Sequence, residues 1–400
     1  MTGKHVRPRS RLMAPSSTVD PGKGLHPGLV PSSSLPVHGI GLVVFGAALL
    51  AFHGNGTLGL TPLTGYLSYT FIAALGTLLL ALRSQRGGTL PLAALLIWAL
   101  LFRALAVSAP PLMEDDVYRY LWDGWVTLDR GSPYGVTPAT YFHEDALPAV
   151  WEQILGQVAY PEIPTAYGPA AQWLFAALAT VLPGALWPLQ LLALLADLAV
   201  LALVLRLVPM PRRGLAVLLY GWCPLVVKEF ANSAHIDIIG VFLLILALVA
   251  TGRGRQALGG VCLALAIGIK PFAILAAPGV LLRREGSTQW PRPSRWPRPC
   301  WGGIAGLVLT LLLVSVPLDL AAALAPEGLG AMATTWVFNA PLHEWLLQSA
   351  GPVGRARVAL LLLLAAALVM AWLWLRPQND LSAARAPWAS WPLLPCFALL

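Results

Sequence analysis

The feature that most constrains this chain is the grouping of its apolar residues into long blocks, in place of the short alternating patterns of a globular core. The blocks lie near 38–54, 66–82, 90–107, 169–183, 187–208, 214–228, 236–251, 257–282, 302–322, 353–375 and 388–400. Only 11% of the residues are Asp, Glu, Lys or Arg. Soluble proteins carry about 25%, so a hydrated surface cannot be built from this set. The expectation is an all-α polytopic membrane protein, a bundle of about ten transmembrane helices. The net charge of +8 does not point to nucleic acid, because the bases are scattered between apolar blocks and form no single basic face. Cys223, Cys262, Cys300 and Cys396 form no C-x-x-C pair, which implies neither a zinc site nor a disulfide framework.

Charge then assigns sides. Residues 1–37, with Lys4, Arg7, Arg9, Arg11 and Lys23 against Asp20, read as a disordered basic cytoplasmic tail, and 38–400 as the membrane domain. With that tail inside, the positive-inside rule places Arg83 and Arg86 inside and the long polar loop 108–168 outside. Block 169–183 is short and ends at Pro183-Gly184, so it reads as a partial or re-entrant helix. Block 257–282 is interrupted at Lys270-Pro271 and has basic flanks on both sides. It predicts two short helices that enter and return with Lys270 at the turn, followed by a basic cytoplasmic loop, 283–300. Nine of the 18 acids fall in the outer loop: Glu114, Asp115, Asp116, Asp123, Asp129, Glu144, Asp145, Glu152 and Glu162. Seven bases escape the inner side: Arg103, Arg119, Arg130, Lys228, Lys270, Arg355 and Arg357.

Glu114-Asp115-Asp116 opens the stretch EDDVYRYLWDGWVTLDR, which follows Pro110-Pro111 and reads as a helix. Val117, Leu121, Trp125 and Leu128 recur at helical spacing as an apolar stripe, while Asp116, Arg119 and Asp123 share a different face. Acids at a helix start complement its macrodipole. Adjacent carboxylates also repel, which raises one pKa, and a raised carboxyl pKa suits a general base near neutral pH.

The strings Asp116-Val117-Tyr118-Arg119-Tyr120 and Trp122-Asp123-Gly124 resemble the first extracytoplasmic loop of bacterial GT-C glycosyltransferases. The likeness is closest to the polyprenyl-phosphate-mannose-dependent mannosyltransferases. It continues through Ser132-Pro133-Tyr134, YPEIPTAYGP at 160–169, the HID of His235–Asp237 and the IKP of Ile269–Pro271. Trp125 stands where these relatives usually carry Arg, and Gly168 where they tend to have a second proline. The resemblance implies a GT-C-like bundle in the plasma (inner) membrane with its active site outside. The activity implied is transfer of a hexosyl, specifically mannosyl, residue from a polyprenyl-phosphate sugar donor to a hydroxyl of a glycan or lipid acceptor. It further implies inversion, with the acid at Asp116 as base and Asp115 beside it.

A phosphate leaving group at the membrane surface needs outer cations, where the charge rule otherwise discourages them. Arg103, Arg119, Lys228 and Lys270 are therefore candidate substrate contacts, together with Tyr120, Asp123, His235 and Asp237. His235 with Asp116 would also suit a divalent cation, although the spacing is not diagnostic and no residue is assigned as a metal ligand. Asp197, alone inside a span, is either functional or paired with another helix. Trp122, Trp125, Trp151 and Trp173 are either membrane-belt residues or a wall for a sugar ring. A transporter or flippase of a lipid-linked sugar would also need broken helices and a midplane cation, but it has no use for an outer carboxylate base. A non-catalytic subunit of an envelope assembly is the third reading. The sequence names neither the sugar nor the acceptor.

Overall fold

Proline opens helix after helix in this chain, because its fixed φ suits the first turn, where the missing N–H has no intrahelical partner to lose. The computed structural model describes residues 34–54, 59–144, 147–283 and 298–335. Helices α1 (Leu35–His53), α2 (Pro62–Gln85) and α3 (Leu92–Val107) pack together, α1 against both of the others. The polar segment after α3 holds α4 (Asp116–Arg130), a 3-10 turn at Pro138–His143, and α5 (Ala149–Leu155). Next come α6 (Pro169–Val181), laid against α4, and α7 (Trp187–Leu207). A bent pair follows, α8 (Met210–Gly221) and α9 (Pro224–Asn232), turning by 55° at Cys223-Pro224. Then α10 (Asp237–Gly252), α11 (Gln256–Ile269) and α12 (Pro271–Leu281) lead to a two-residue antiparallel pairing, Leu282 opposite Pro299. The described chain closes with α13 (Trp301–Ser315), α14 (Leu320–Leu324) and α15 (Glu327–Thr335).

The expected bundle of about ten transmembrane helices is not what forms. Among the described residues four helices are long and apolar enough to cross a membrane, α1, α2, α7 and α13 with its extension to Leu318, or five if the bent pair counts as one span. The discrepancy arises because apolar composition continues through positions that stop a helix. Cys223-Pro224 divides block 214–228, and Lys270-Pro271 divides block 257–282 into helices of 14 and 11 residues. Block 90–107 yields 16 residues, block 236–251 another 16, and block 169–183 only 13. Blocks 353–375 and 388–400 lie outside the described residues, as do Arg355, Arg357 and residues 1–33 of the basic tail. The chain is thus a membrane-associated, multi-pass protein, and among the described residues its long spans are fewer and its short apolar helices more numerous than the blocks imply.

Close backbone approach holds α11 to α13. A Cβ on Gly260 would collide with the carbonyl of Gly303, and one on Gly306 with that of Ala257. Small residues at such crossings replace the hydrophobic drive that lipid tails cannot supply.

The aromatic residues of the polar segment between α3 and α6 form its core. Trp122, Tyr141 and Trp151 are buried, with Trp125 stacked on Trp151 at 5.5 Å and Trp122 edge-on to Tyr141 at 5.0 Å. The buried face of α4 is wider than the stripe of the sequence pattern: Tyr120, Trp122 and Val126 are buried and Leu128 is exposed. Two sides of α4 are covered, one by α6 and one by this cluster.

Between α3, α7 and α8 lies a charge pair with no access to solvent: Arg103 is 1% exposed and Asp197 0%. Arg103 donates from Nε and Nη2 to both Asp197 oxygens, and from Nη1 to the carbonyls of Ala99 (3.0 Å) and Gly221 (2.7 Å). Tyr220 donates to Asp197 Oδ1 at 2.7 Å. Removing one member of such a pair strands a buried charge. Asp197→Ala is expected to cost about 3–5 kcal/mol of stability, measured as thermal unfolding in detergent. Adding Arg103→Met should recover most of that loss, and a single mutant that melts like the wild type would show that the pair is not holding the helices.

Candidate functional site

The loop that precedes α4 is fixed to the bundle by a buried amide. Asn232, at the end of α9 and 0% exposed, donates to the carbonyls of Ala106 (2.9 Å), Ala109 (3.3 Å) and Pro110 (3.0 Å), and accepts from the N–H of Leu112 at 2.7 Å. Gln190 on α7 donates to Ala109 and Asn232 carbonyls. The unpaired backbone after α3 is thus satisfied by side chains from two other helices, which fixes where Glu114 emerges.

From Glu114 a chain of charges runs across the structure. Its Oε2 lies 3.3 Å from Lys228 Nζ and 3.1 Å from His235 Nε2, and both partners also reach Glu229, at 3.2 and 3.3 Å. The His235 contacts are ionic in geometry and not well-directed hydrogen bonds. His235 Nδ1 is 3.8 Å from Asp237 Oδ2, and Asp237 Oδ1 is 3.2 Å from Lys270 Nζ. The Lys270 ammonium lies 5.5 Å from the centre of the Tyr167 ring, and the Tyr167 hydroxyl donates to Asp116 Oδ2 at 3.0 Å. Lys270 reaches this place because the chain is extended at that residue between α11 and α12. The start of α6 and the end of α11 also touch backbone to backbone: a Cβ on Gly168 would strike the carbonyl of Gly268. The lack of a side chain at Gly168 permits that contact.

Two backbone turns aim the central pair. Met113 and Ala234, the residues just before Glu114 and His235, adopt left-handed conformations with φ of 53° and 57°, which cost a non-glycine residue about 1–2 kcal/mol each. Burial opposes ionisation of Glu114, but contact with His235 and the charges of His235 and Lys228 lower its pKa to about 2. Burial also disfavours a charged His235, yet Asp237, Glu114 and Glu229 push its pKa up to about 10. The repulsion expected within the acidic triplet falls on Asp115, whose pKa is raised by burial and then by the charges of Asp116 and Glu114.

A cavity of about 230 Å³ is walled by Glu114, Asp115, Asp116, Arg119, Tyr160 and Tyr167, among others. Of the residues expected from the sequence to touch substrate, Asp115, Asp116 and Arg119 therefore share the cavity, and Lys228, His235, Asp237 and Lys270 join it through the charge chain. Arg103 is not brought there, since its guanidinium is occupied within the bundle. Tyr120 is 0% exposed, its ring stacked on Phe175 at 4.9 Å and edge-on to Tyr167 at 5.0 Å. Asp123 turns inward and accepts from Arg119 Nε (2.8 Å), Thr165 Oγ1 and Gln172 Nε2. Sequence reading passed over Tyr167, Asn232, Gln190 and Gln172. An amide inside an apolar block, as at Gln172 and Gln190, is the signal that marks the last two, because a polar group there needs a buried partner.

Glu114, Asp116 and His235 each present one ligand atom, and the three lie within 4.8 Å of one another. Two carboxylate oxygens and an imidazole nitrogen suit a divalent cation in both chemistry and spacing. Such an ion would have to displace the His235 proton and compete with Lys228 for Glu114.

The family model described as alpha-(1->6)-mannopyranosyltransferase, N-terminal domain, matches residues 36–284, more than half of the chain. The chain belongs to this family. No curated protein and no solved structure matches it. The matched span contains DVYRYLWDG, YPEIPTAYGP, HID and IKP, the strings that carry the sequence resemblance. The protein is a transferase-type enzyme with a sugar-transfer function, and its cavity and charge chain lie within the matched residues.

If the triad takes a metal, added Mn²⁺ or Zn²⁺ should raise the melting temperature of the purified protein, and His235→Asn should abolish that rise. An unchanged wild-type melting curve at millimolar metal would remove the triad as a cation site.

Proposed function

We propose that this enzyme transfers a mannosyl residue from a polyprenyl-phosphate donor to an acceptor hydroxyl on the extracytoplasmic side of the membrane, with inversion and with Asp116 as general base. The observation that carries this reading is the division of labour among the three acids that open the loop helix. Glu114 is spent on Lys228 and His235, and Asp115, the acid whose pKa is raised, stands at the helix cap with a side chain that makes no capping hydrogen bond. Asp116 is half-buried in the cavity wall, oriented by Tyr167, and among the described residues makes no ion pair. A carboxylate in the cavity wall with one oxygen held by a neighbour is placed to take a proton from a bound hydroxyl, the geometric requirement for a general base.

In the proposed step the acceptor hydroxyl gives its proton to Asp116 while its oxygen attacks the anomeric carbon. The bond from that carbon to the phosphate oxygen breaks on the opposite face, and polyprenyl phosphate leaves with the electron pair. Lys270 and Arg119 are the cations for that anion: Arg119 lines the cavity with Nε held by Asp123 and Nη2 by the Ile163 carbonyl. At about 230 Å³ the cavity is below the ~300–1,000 Å³ of ordinary ligand pockets. That size supports a single sugar ring inside it, with the lipid chain and the rest of the acceptor outside. The family assignment supports a transferase over a transporter, and no feature of the site favours the latter.

Asp116→Asn is expected to abolish transfer in reconstituted membranes with the melting temperature unchanged, and retention of most of the activity would remove Asp116 as the base. Lys270→Ala should raise the KM for the donor. An unchanged dependence of rate on donor concentration would exclude Lys270 as a phosphate contact. Both assays begin with a panel of labelled polyprenyl-phosphate sugars and mass analysis of the products, in which no transfer from the mannosyl donor would refute the proposed specificity.

A further inference from the structure

We infer that Tyr167 is a positioning residue that holds the Asp116 carboxylate in its working orientation and keeps it apart from the Lys270 ammonium. The inference rests on the reading of Asp116 as base.

Every part of Tyr167 is engaged. Its ring meets Tyr120 edge-on at 5.0 Å and Phe175 edge-on at 5.7 Å, and its carbonyl accepts from the Tyr134 hydroxyl at 3.1 Å. The residue is 9% exposed, so the ring has no room to swing away. Its hydroxyl donates to Asp116 Oδ2 at 3.0 Å. A donor fixed on one carboxylate oxygen sets the rotation of the carboxylate and leaves the other oxygen to receive the acceptor proton, the orienting role that a third group plays beside a base.

The second half of the inference concerns charge. Lys270 lies on the ring of Tyr167 and is tethered to Asp237. Lys270 makes no ion pair with Asp116; with the ring removed, the ammonium is free to turn from Asp237 to that carboxylate, a pairing that would consume the cation meant for the leaving phosphate. The aromatic face attracts the ammonium while its edge carries the hydroxyl to the carboxylate. One side chain thus serves the base and the cation without letting them meet. The contact of Gly168 with Gly268 makes the arrangement possible by bringing the two segments together one residue after Tyr167 and two residues before Lys270.

The test uses the full-length enzyme in proteoliposomes. Tyr167→Phe keeps the ring and removes only the hydroxyl. It is expected to lower kcat by about tenfold or more, the scale of a hydrogen bond to a charged group, with the donor KM within twofold of wild type. Tyr167→Leu removes the ring as well and should also raise the donor KM, as Lys270→Ala does. Adding Lys270→Ala to Tyr167→Leu should raise that KM no further, a non-additivity that a purely structural role for the tyrosine would not produce. A wild-type kcat for Tyr167→Phe would overturn the positioning role, and a donor KM for Tyr167→Leu as low as that of Tyr167→Phe would overturn the separating role. Should Asp116→Asn remain active, the assignment of the base fails and this inference with it. Should Asp116→Asn be inactive and Tyr167→Phe unimpaired, the base stands and only the role of Tyr167 is lost.

Discussion

The geometry around the cavity depends on one interaction, the Glu114 carboxylate held between Lys228 and His235. Glu114 is the first charged residue after α3, and both partners come from the segment that ends α9 and begins α10. A carboxylate drawn out of water must find cationic partners or give up its charge, so this pairing fixes the loop to the bundle at a single point. The Asn232 amide secures the backbone immediately before it. With that entry fixed, α4 starts at Asp116 in one place only, and its packing on α6 determines where the YGP segment, and with it Tyr167, must lie.

Two groups of buried charges in this protein differ in how completely they are satisfied. Around Arg103 and Asp197 the guanidinium and both carboxylate oxygens are occupied, by Asp197, two carbonyls and Tyr220. No atom of that group is left for a ligand, and its effect is to lock α3 to α7 and α8. The chain from Glu229 to Asp116 is looser. It contains contacts of ionic distance without hydrogen-bond geometry, buried atoms such as His235 Nε2 and Asp237 Oδ2 without a directed partner, and a lysine whose side chain is 31% exposed. Saturation marks structure, and residual valence beside a cavity marks a site. By this criterion the same expectation from sequence, a cation on the wrong side of the charge rule, divides into Arg103 on one hand and Lys270 with Arg119 on the other.

Much of this was legible in the sequence, and what was not has physical causes. The break at Lys270-Pro271 was visible because a lysine followed by proline inside an apolar block has few structural uses, and the structure puts a helix end there. The acidic triplet was visible as a cluster, but which acid would be raised depended on Lys228 and His235, more than 110 residues away, neutralising Glu114. Helix lengths were misjudged because hydropathy averages over prolines, so block 214–228 read as a single span where the chain bends by 55°. Asp123 and Tyr120 lie in the most recognisable string of the chain, yet one turns toward Thr165 and the other is enclosed by Tyr167 and Phe175. A motif identifies residues that matter together without saying which of them face the ligand. Tyr167 belongs to the YPEIPTAYGP string as well, but its contacts depend on the approach of α6 to α11, which the string does not encode.

Backbone conformation adds a last link between this packing and catalysis. Among the described residues four that are not glycine have positive φ, and three of them, Met113, Tyr160 and Ala234, border the site. Met113 precedes Glu114, Ala234 precedes His235, and Tyr160 lines the cavity. Such conformations persist only where the surroundings over-determine them. Here the surroundings are the Asn232 amide, the ion pairs of Glu114 and the aromatic packing below α4. The strain is maintained by interactions among the protein's own groups, so the fold itself holds the side chains that face the cavity. A sugar-transfer reaction benefits directly, because charges oriented in advance need not reorganise as charge develops in the transition state. The residues that look costly in isolation are therefore those through which folding energy is converted into a preorganised electrostatic environment.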